Sequence, residues 1–231
     1  MKNYQREYPL FSLCGLNCAL CPMHLNQYCP GCGGGEGNQS CAIFRCAREH
    51  GCPEYCFQCS EYPCEKYDSV MEYDSFLPHR NMRKDMERAK SGGIEAYQTE
   101  LEEKELILQE LLDNYNDGRR KTFYMLAVYL LELQDLRDAM EQILRETSGR
   151  GTQEKAIGTQ GKAKGTQEKA IGTQGKAKGT QEKVKGTIQG TVQEMTLKEK
   201  AAAAAGCFQA IAQEKGIVLK LNKKPAKKKT E

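Results

Sequence analysis

Eleven of the twelve cysteines in this chain of 231 residues fall between Cys14 and Cys64, a stretch of 51 residues. The same stretch holds few large apolar side chains: Leu16, Leu20, Met23, Leu25, Ile43, Phe44 and Phe57. So few groups cannot remove enough apolar surface from water to offset the chain entropy of an autonomous domain. Such a segment needs a covalent or a metal staple. Which of the two it takes depends on the compartment. The N-terminus carries Lys2, Arg6 and Glu7 with no apolar h-region, so it does not read as a secretory signal. The longest apolar run, Phe123 to Leu131, has nine residues and is too short to cross a bilayer. A cytoplasmic protein is expected, with no membrane partner. Thiols stay reduced there, which favours metal thiolates over a disulfide framework.

The spacing points the same way. Cys18/Cys21, Cys29/Cys32 and Cys56/Cys59 are C-x-x-C pairs. Two intervening residues let a tight turn aim both sulfurs at one ion, with Zn–S near ~2.3 Å. In Cys29-Pro30-Gly31-Cys32-Gly33-Gly34, proline fixes one φ and the glycine after the second sulfur permits φ > 0, so backbone amides can turn toward sulfur. The candidate ligands are Cys14, Cys18, Cys21, Cys29, Cys32, Cys41, Cys46, Cys52, Cys56, Cys59 and Cys64. At four ligands per zinc they suit roughly two or three ions. One set is expected from Cys18, Cys21, Cys29 and Cys32. A second takes Cys56 and Cys59 with two of Cys41, Cys46, Cys52 and Cys64. A third would need His24 or His50, of which His50, beside Cys52, is the better placed.

Cysteine count alone does not select the metal, so an iron–sulfur cluster stands as the alternative. The spacing Cys14-x3-Cys18-x2-Cys21 is similar to that of radical S-adenosylmethionine enzymes. Those enzymes need roughly 200 residues of alternating strand and helix. The residues after Cys64 show no such alternation and read as helical.

A short helix is predicted from about Asn81 to Lys90, stopped by Ser91-Gly92-Gly93. The next has Ile94, Tyr97, Leu101, Leu108, Leu111, Leu112 and Tyr115 on one face. After the polar turn Asn114 to Gly118, Arg119 to Leu133 is apolar nearly all round, the pattern of a helix buried among others. Asp135 is a candidate cap for a fourth, with Leu136, Met140, Ile143 and Leu144 facing inward. Then the composition changes. Gly151 to Lys164 reads GTQEKAIGTQGKAK, and Gly165 to Lys178 repeats it letter for letter. Glycine opens every seven, and each interior glycine costs a helix about 1 kcal/mol, so the tract reads as a flexible linker. Beyond it, Leu197, Ala201, Ala204, Ala205, Phe208, Ile211 and Ala212 mark a last helix ending at Gly216, with Cys207 as a small core residue.

The expected architecture is thus mainly α. A small irregular Cys-rich metal-knuckle module (1–64) leads into a helical bundle (65–147), and a repetitive linker (148–195) precedes the C-terminal helix and basic tail (196–231).

The run Cys14-Gly15-Leu16-Asn17-Cys18-Ala19-Leu20-Cys21, with Cys29-Pro30-Gly31-Cys32, Cys41 to Cys46 and Cys56-x2-Cys59-x2-Tyr62-Pro63-Cys64, resembles the prokaryotic family known as domain of unknown function 3795. The resemblance continues through Tyr73-Asp74-Ser75-Phe76, His79, Asn81, Asp85 and Asn116-Asp117-Gly118-Arg119-Arg120. It spans residues 8 to about 147 and the last helix, with the repeats as an insertion. It implies a Cys-rich metal-binding domain and no established activity.

Of the polar residues in that resemblance, Asp74, His79, Asn81, Asp85, Arg119 and Arg120 are candidates for an anion-binding pocket, or else for helix caps and surface ion pairs. The function expected is metal binding, with structural zinc in an interaction or regulatory module that meets a protein partner. An iron–sulfur or redox metalloprotein is the alternative. Nucleic-acid binding would rest on the tail lysines Lys220, Lys223, Lys224, Lys227, Lys228 and Lys229 alone. The Cys-rich stretch argues against it. Arg45 and Arg48 there face Glu36, Glu49, Glu54 and Glu61, a net charge of −2.

Overall fold

The computed structural model describes residues 5–37, 41–148 and 195–225. Among these the chain is mainly helical, with eight α-helices and no strand. They are α1 (Pro22–Leu25), α2 (Ala42–Glu49), α3 (Glu65–Met71), α4 (Met82–Gly92), α5 (Ile94–Asn114), α6 (Lys121–Leu130), α7 (Leu133–Thr147) and α8 (Leu197–Glu214). The repeats at 149–194 lie outside the described residues.

The long helix α5 is the centre of the helical part, touching α4, α6 and α7. Its inner face is Tyr97, Leu101, Lys104, Leu108 and Leu111, at the steps of three and four that the sequence shows. Lys104 is the member that hydrophobicity does not reveal. Its chain fills the gap between Leu101 and Leu108, and its ammonium donates to the Leu131 carbonyl at 2.9 Å. That carbonyl sits at the C-cap of α6, where no helical amide follows and a cation is favoured. The α6 helix therefore ends at Leu130, three residues short of the expected Leu133. The chain turns through extended Leu131 and Glu132, and α7 starts with Glu132 at its N-cap. Asp135 is in the first turn of α7 rather than at its cap, and pairs with Lys215 at 3.0 Å.

At the other end of α5, Asn116 to Arg120 is a turn closed by its own side chains. Asn116 accepts from the Gly118 and Arg120 amides, and Asp117 accepts from the Arg119 amide. The α8 helix opens on a Thr196–Glu199 capping box and buries Ala201, Ala204, Ala205, Cys207, Phe208 and Ala212 against α6 and α7. Cys207 is a core residue, as expected, whereas Leu197 is exposed.

The Cys-rich segment does not rely on its own apolar groups alone. Phe11, Ala19, Leu20 and Tyr55 join the same core as α4 to α8. A second core gathers Leu13, Cys14, Ile43, Phe44, Ala47, Tyr67 and Met82 from the segment, α2, α3 and the start of α4. Burying a side chain such as Phe44 or Leu20 is worth about 1.5–3 kcal/mol.

A polar seam fastens the two parts. Asn17 donates to Asp85 at 3.0 Å and accepts from the Tyr97 hydroxyl at 3.1 Å, and all three are buried. Burial pushes the Asp85 carboxyl up to about 6, opposed by Lys104 and then Arg88. A carboxyl whose pKa rises on folding binds protons more tightly in the native state. Its effect on stability is therefore neutral in acid and turns unfavourable as pH climbs through that value. The difference in unfolding free energy between wild type and Asp85→Asn, from urea titrations between about pH 4 and about pH 7, should fall by up to about 3 kcal/mol as pH rises. A pH-independent difference would contradict the burial of the charge.

Candidate metal centre

Two of the three C-x-x-C pairs fold as tight 3-10 turns. Cys18–Leu20 and Cys56–Gln58 each bring the second cysteine's amide onto the first one's carbonyl, Cys21 to Cys18 and Cys59 to Cys56, both at 3.0 Å. The third pair turns through Gly31, at φ +95°, with the Cys32 amide on the Pro9 carbonyl at 2.9 Å. None of the twelve cysteines is in a disulfide.

The thiols sort into two zones. In the inner zone, burial pushes the Cys14 thiol up to about 12, and the thiols of Cys32 and Cys41 add to the rise. Cys18 is pushed up by burial and then by the thiols of Cys32, Cys14 and Cys21, and Cys21 by burial with Cys29 adjacent. Backbone amides work in the opposite direction and favour the thiolates: Leu16 on Cys14, Cys32 on Cys18, Met23 and His24 on Cys21, and Leu13 on Cys32. Cys41 accepts directly from the Phe44 amide at 3.3 Å, at the N-cap of α2. The expected set of Cys18, Cys21, Cys29 and Cys32 thus stays in one neighbourhood, but Cys14 and Cys41 enter it too. Reading the cysteines as C-x-x-C pairs left Cys14 as a surplus. The Phe11–Asn17 bridge and the positive φ of Gly15 fold its loop back toward Cys18.

In the outer zone Cys46, Cys56, Cys59 and Cys64 line one cavity of about 450 Å³ with His50. Burial pushes the Cys56 thiol up to about 12, opposed by the Tyr67 hydroxyl, while Cys64, the inner-zone Cys32 and Cys46 add to the rise, so the two zones adjoin at Cys32 and Cys56. His50 holds the Cys46 carbonyl through Nδ1 at 2.8 Å, and that nitrogen is 3.5 Å from the Cys46 sulfur. His24 Nδ1 is taken up by the Cys29 carbonyl at 3.1 Å. Cys52 stands apart, exposed and at φ +54°, its amide closing the end of α2 on Ala47. Among the described residues, no three Cys, His, Asp or Glu side chains meet in a group that holds a metal ion as they stand. The donor chemistry fits zinc, and binding requires the sulfurs to draw together.

Two residues that organise the zones carry no spacing signal. Buried Arg6 donates to the carbonyls of Glu54, Phe11 and Cys32 and pairs with the Glu54 carboxylate, tying together points up to 48 residues apart. Its guanidinium pulls the Cys32 thiol down against burial. Tyr67 of α3 donates to the Cys14 carbonyl at 3.1 Å and reaches the Cys56 sulfur, so it spans both zones.

The other polar candidates do not share a site. Asp74 accepts from the His79 amide at 2.7 Å and from the Asn222 amide at 2.7 Å, clipping the run after α8 to the loop before α4. His79 has Nε2 accepting from the Ser75 amide, so its Nδ1 proton goes to the Val70 carbonyl at 2.7 Å. Asn81 precedes α4 without capping it, and Arg120 pairs with Asp117 at 3.4 Å. These are loop and helix-end roles.

No family model, no curated protein and no solved structure matches the chain. The resemblance to the domain of unknown function 3795 family therefore stands on its motifs alone. No described helix is long and apolar enough to cross a membrane.

Gly15 fixes the inner loop. At φ +93°, a Cβ there would lie 2.5 Å from the Met82 carbonyl oxygen. Gly51, at φ +81°, has open space around it. Gly15→Ala should destabilise by at least about 2 kcal/mol more than Gly51→Ala in chemical denaturation. Equal losses would mean that the loop does not seat on α4.

Proposed function

We propose that this chain is a zinc-binding protein of the domain of unknown function 3795 type, in which metal thiolates hold a small Cys-rich module against a helical bundle. The observation that carries the reading is the convergence of backbone amides on the inner sulfurs. Cys14, Cys18, Cys21 and Cys32 each have at least one amide favouring the thiolate, although burial opposes ionisation, and the exposed Cys41 accepts from the Phe44 amide. Buried neighbouring thiols keep their protons unless a cation replaces them, and amides aimed at sulfur are the outer support of a metal–thiolate site. Arg6 beside Cys32 and Lys66 beside Cys46 offset the negative charge that such a site carries.

The role we assign to the module is interaction or regulation with a protein partner in the cytoplasm. Exposed aromatics support this reading: Tyr28 sits directly before the Cys29–Cys32 knuckle, and Phe76 lies on the loop before α4. Surface aromatics are the groups that protein interfaces preferentially bury.

A structural zinc site contributes an apparent ~10–16 kcal/mol, as much as the whole stability of a typical domain. Purified protein should be colourless, carry roughly two or three zinc ions per chain, and lose about 20 °C or more in Tm when stripped by excess chelator. A brown preparation with iron and sulfide would replace zinc by an iron–sulfur cluster. Metal-free protein with an unchanged Tm would refute both.

A further inference from the structure

The two sulfur zones differ in shape more than in exposure, since Cys18, Cys21, Cys29 and Cys32 are partly exposed like the outer four thiols, and Cys41 is exposed. In the inner zone Cys14 is buried, and its carbonyl is covered by Tyr67. In the outer zone four thiols from three elements face one cavity: Cys46 from α2, Cys56 and Cys59 from the second 3-10 turn, and Cys64 at the head of α3. All four are partly exposed. The cavity, at about 450 Å³, is far larger than a naked ion. It leaves room for a water or an incoming thiol beside bound metal.

The local chemistry also departs from that of an enclosed knuckle. The exposed Lys66 ammonium lies beside Cys46, a surface partner that an ion would displace. Its other near neighbour, the His50 imidazole, holds the Cys46 carbonyl through Nδ1, which leaves Nε2 to face a metal. Since α2 and α3 both line the cavity, closing the sulfurs on an ion would draw these two helices together. Tyr67 touches the inner loop through Cys14 and the outer set through Cys56, so the outer zone can reorganise against a fixed support.

We propose that the outer cavity is a separate metal site, in which Cys46, Cys56, Cys59 and Cys64 take up one soft divalent ion, zinc in the first instance, and exchange it with solvent while the inner thiolates keep theirs. It rests on the metal-thiolate reading and adds to it a division of labour: the inner ion is structural and the outer one is exchangeable. That division would make the outer cavity the regulatory part of the protein. Metal occupancy there sets the spacing of α2 and α3 without unfolding the chain.

The test uses the full-length zinc-loaded protein and the chromophoric chelator 4-(2-pyridylazo)resorcinol, with circular dichroism followed in parallel. Wild type should release about one zinc equivalent in a fast phase with its helical signal unchanged, and the remainder in a separate slower phase. Cys46→Ser/Cys64→Ser should bind about one zinc fewer and lose the fast phase while keeping the slow one. Because a double variant can fail to fold, pulse alkylation of wild type provides a second measurement. During the fast phase, Cys46, Cys56, Cys59 and Cys64 should become reactive before Cys14 and Cys18. Release in one phase that coincides with unfolding, unchanged zinc content in the double variant, or simultaneous labelling of both zones would overturn the proposal and leave zinc binding intact. Wild type that holds no zinc would overturn the metal reading itself.

Discussion

The whole molecule is organised around the shortage of apolar side chains between Cys14 and Cys64. A chain folds when burial offsets the entropy of ordering it, and this stretch has little to bury. Part of what it lacks is supplied by the helices. Leu20 and Ala19 on the first 3-10 turn, together with Phe11 and Tyr55, enter the core built around α5. The polar seam of Asn17, Asp85 and Tyr97 then fixes the angle at which the turn meets α4 and α5. The cysteine loops are therefore held at one edge by a conventional core. Between Cys29 and Cys64 that core takes Tyr55, a second small core gathers Ile43, Phe44 and Ala47, and the thiols lie around these few apolar groups.

Thiols are poor packing material and good ligands. Buried and close together, they repel as anions and hold their protons. Their neighbourhood here nonetheless favours charge: amides lie on the inner sulfurs, Arg6 stands beside Cys32, and Lys66 stands beside Cys46. Burial pushes the thiols toward neutrality while these polar groups favour the anion. The divalent cation we propose would resolve the conflict, since it compensates the desolvation penalty and neutralises the repulsion in one step. Arg6 and Tyr67 gain their importance from this, each joining a cysteine loop to distant chain through a carbonyl.

Much of the helical part was legible because its signal is periodic. The inner faces of α5 and α8 follow from steps of three and four, and Gly93 and Gly216 end α4 and α8 as expected. The end of α6 was not, because it depends on Lys104 reaching the Leu131 carbonyl, a contact between residues 27 apart. Ser91 and Gly92 were read as a stop, yet both remain in α4 and only Gly93, at φ +94°, breaks it. In the cysteine segment, spacing identified the turns, while the neighbours of each thiol depend on how loops cross in space. Cys14 lies beside Cys32 because Gly15 lets the loop double back against Met82, and no C-x-x-C pattern contains that information. Arg6 and Asn17 were equally silent, since a buried polar residue is recognised by its partners and not by its neighbours in sequence.

The proposed substitution of metal–sulfur bonds for an apolar interior is tested most directly at the metal. Zinc K-edge X-ray absorption on protein purified without added metal should show a first shell dominated by sulfur, at about 2.3 Å and close to four scatterers per ion. A shell dominated by oxygen or nitrogen would mean that zinc sits adventitiously on the surface and that the thiols have another purpose.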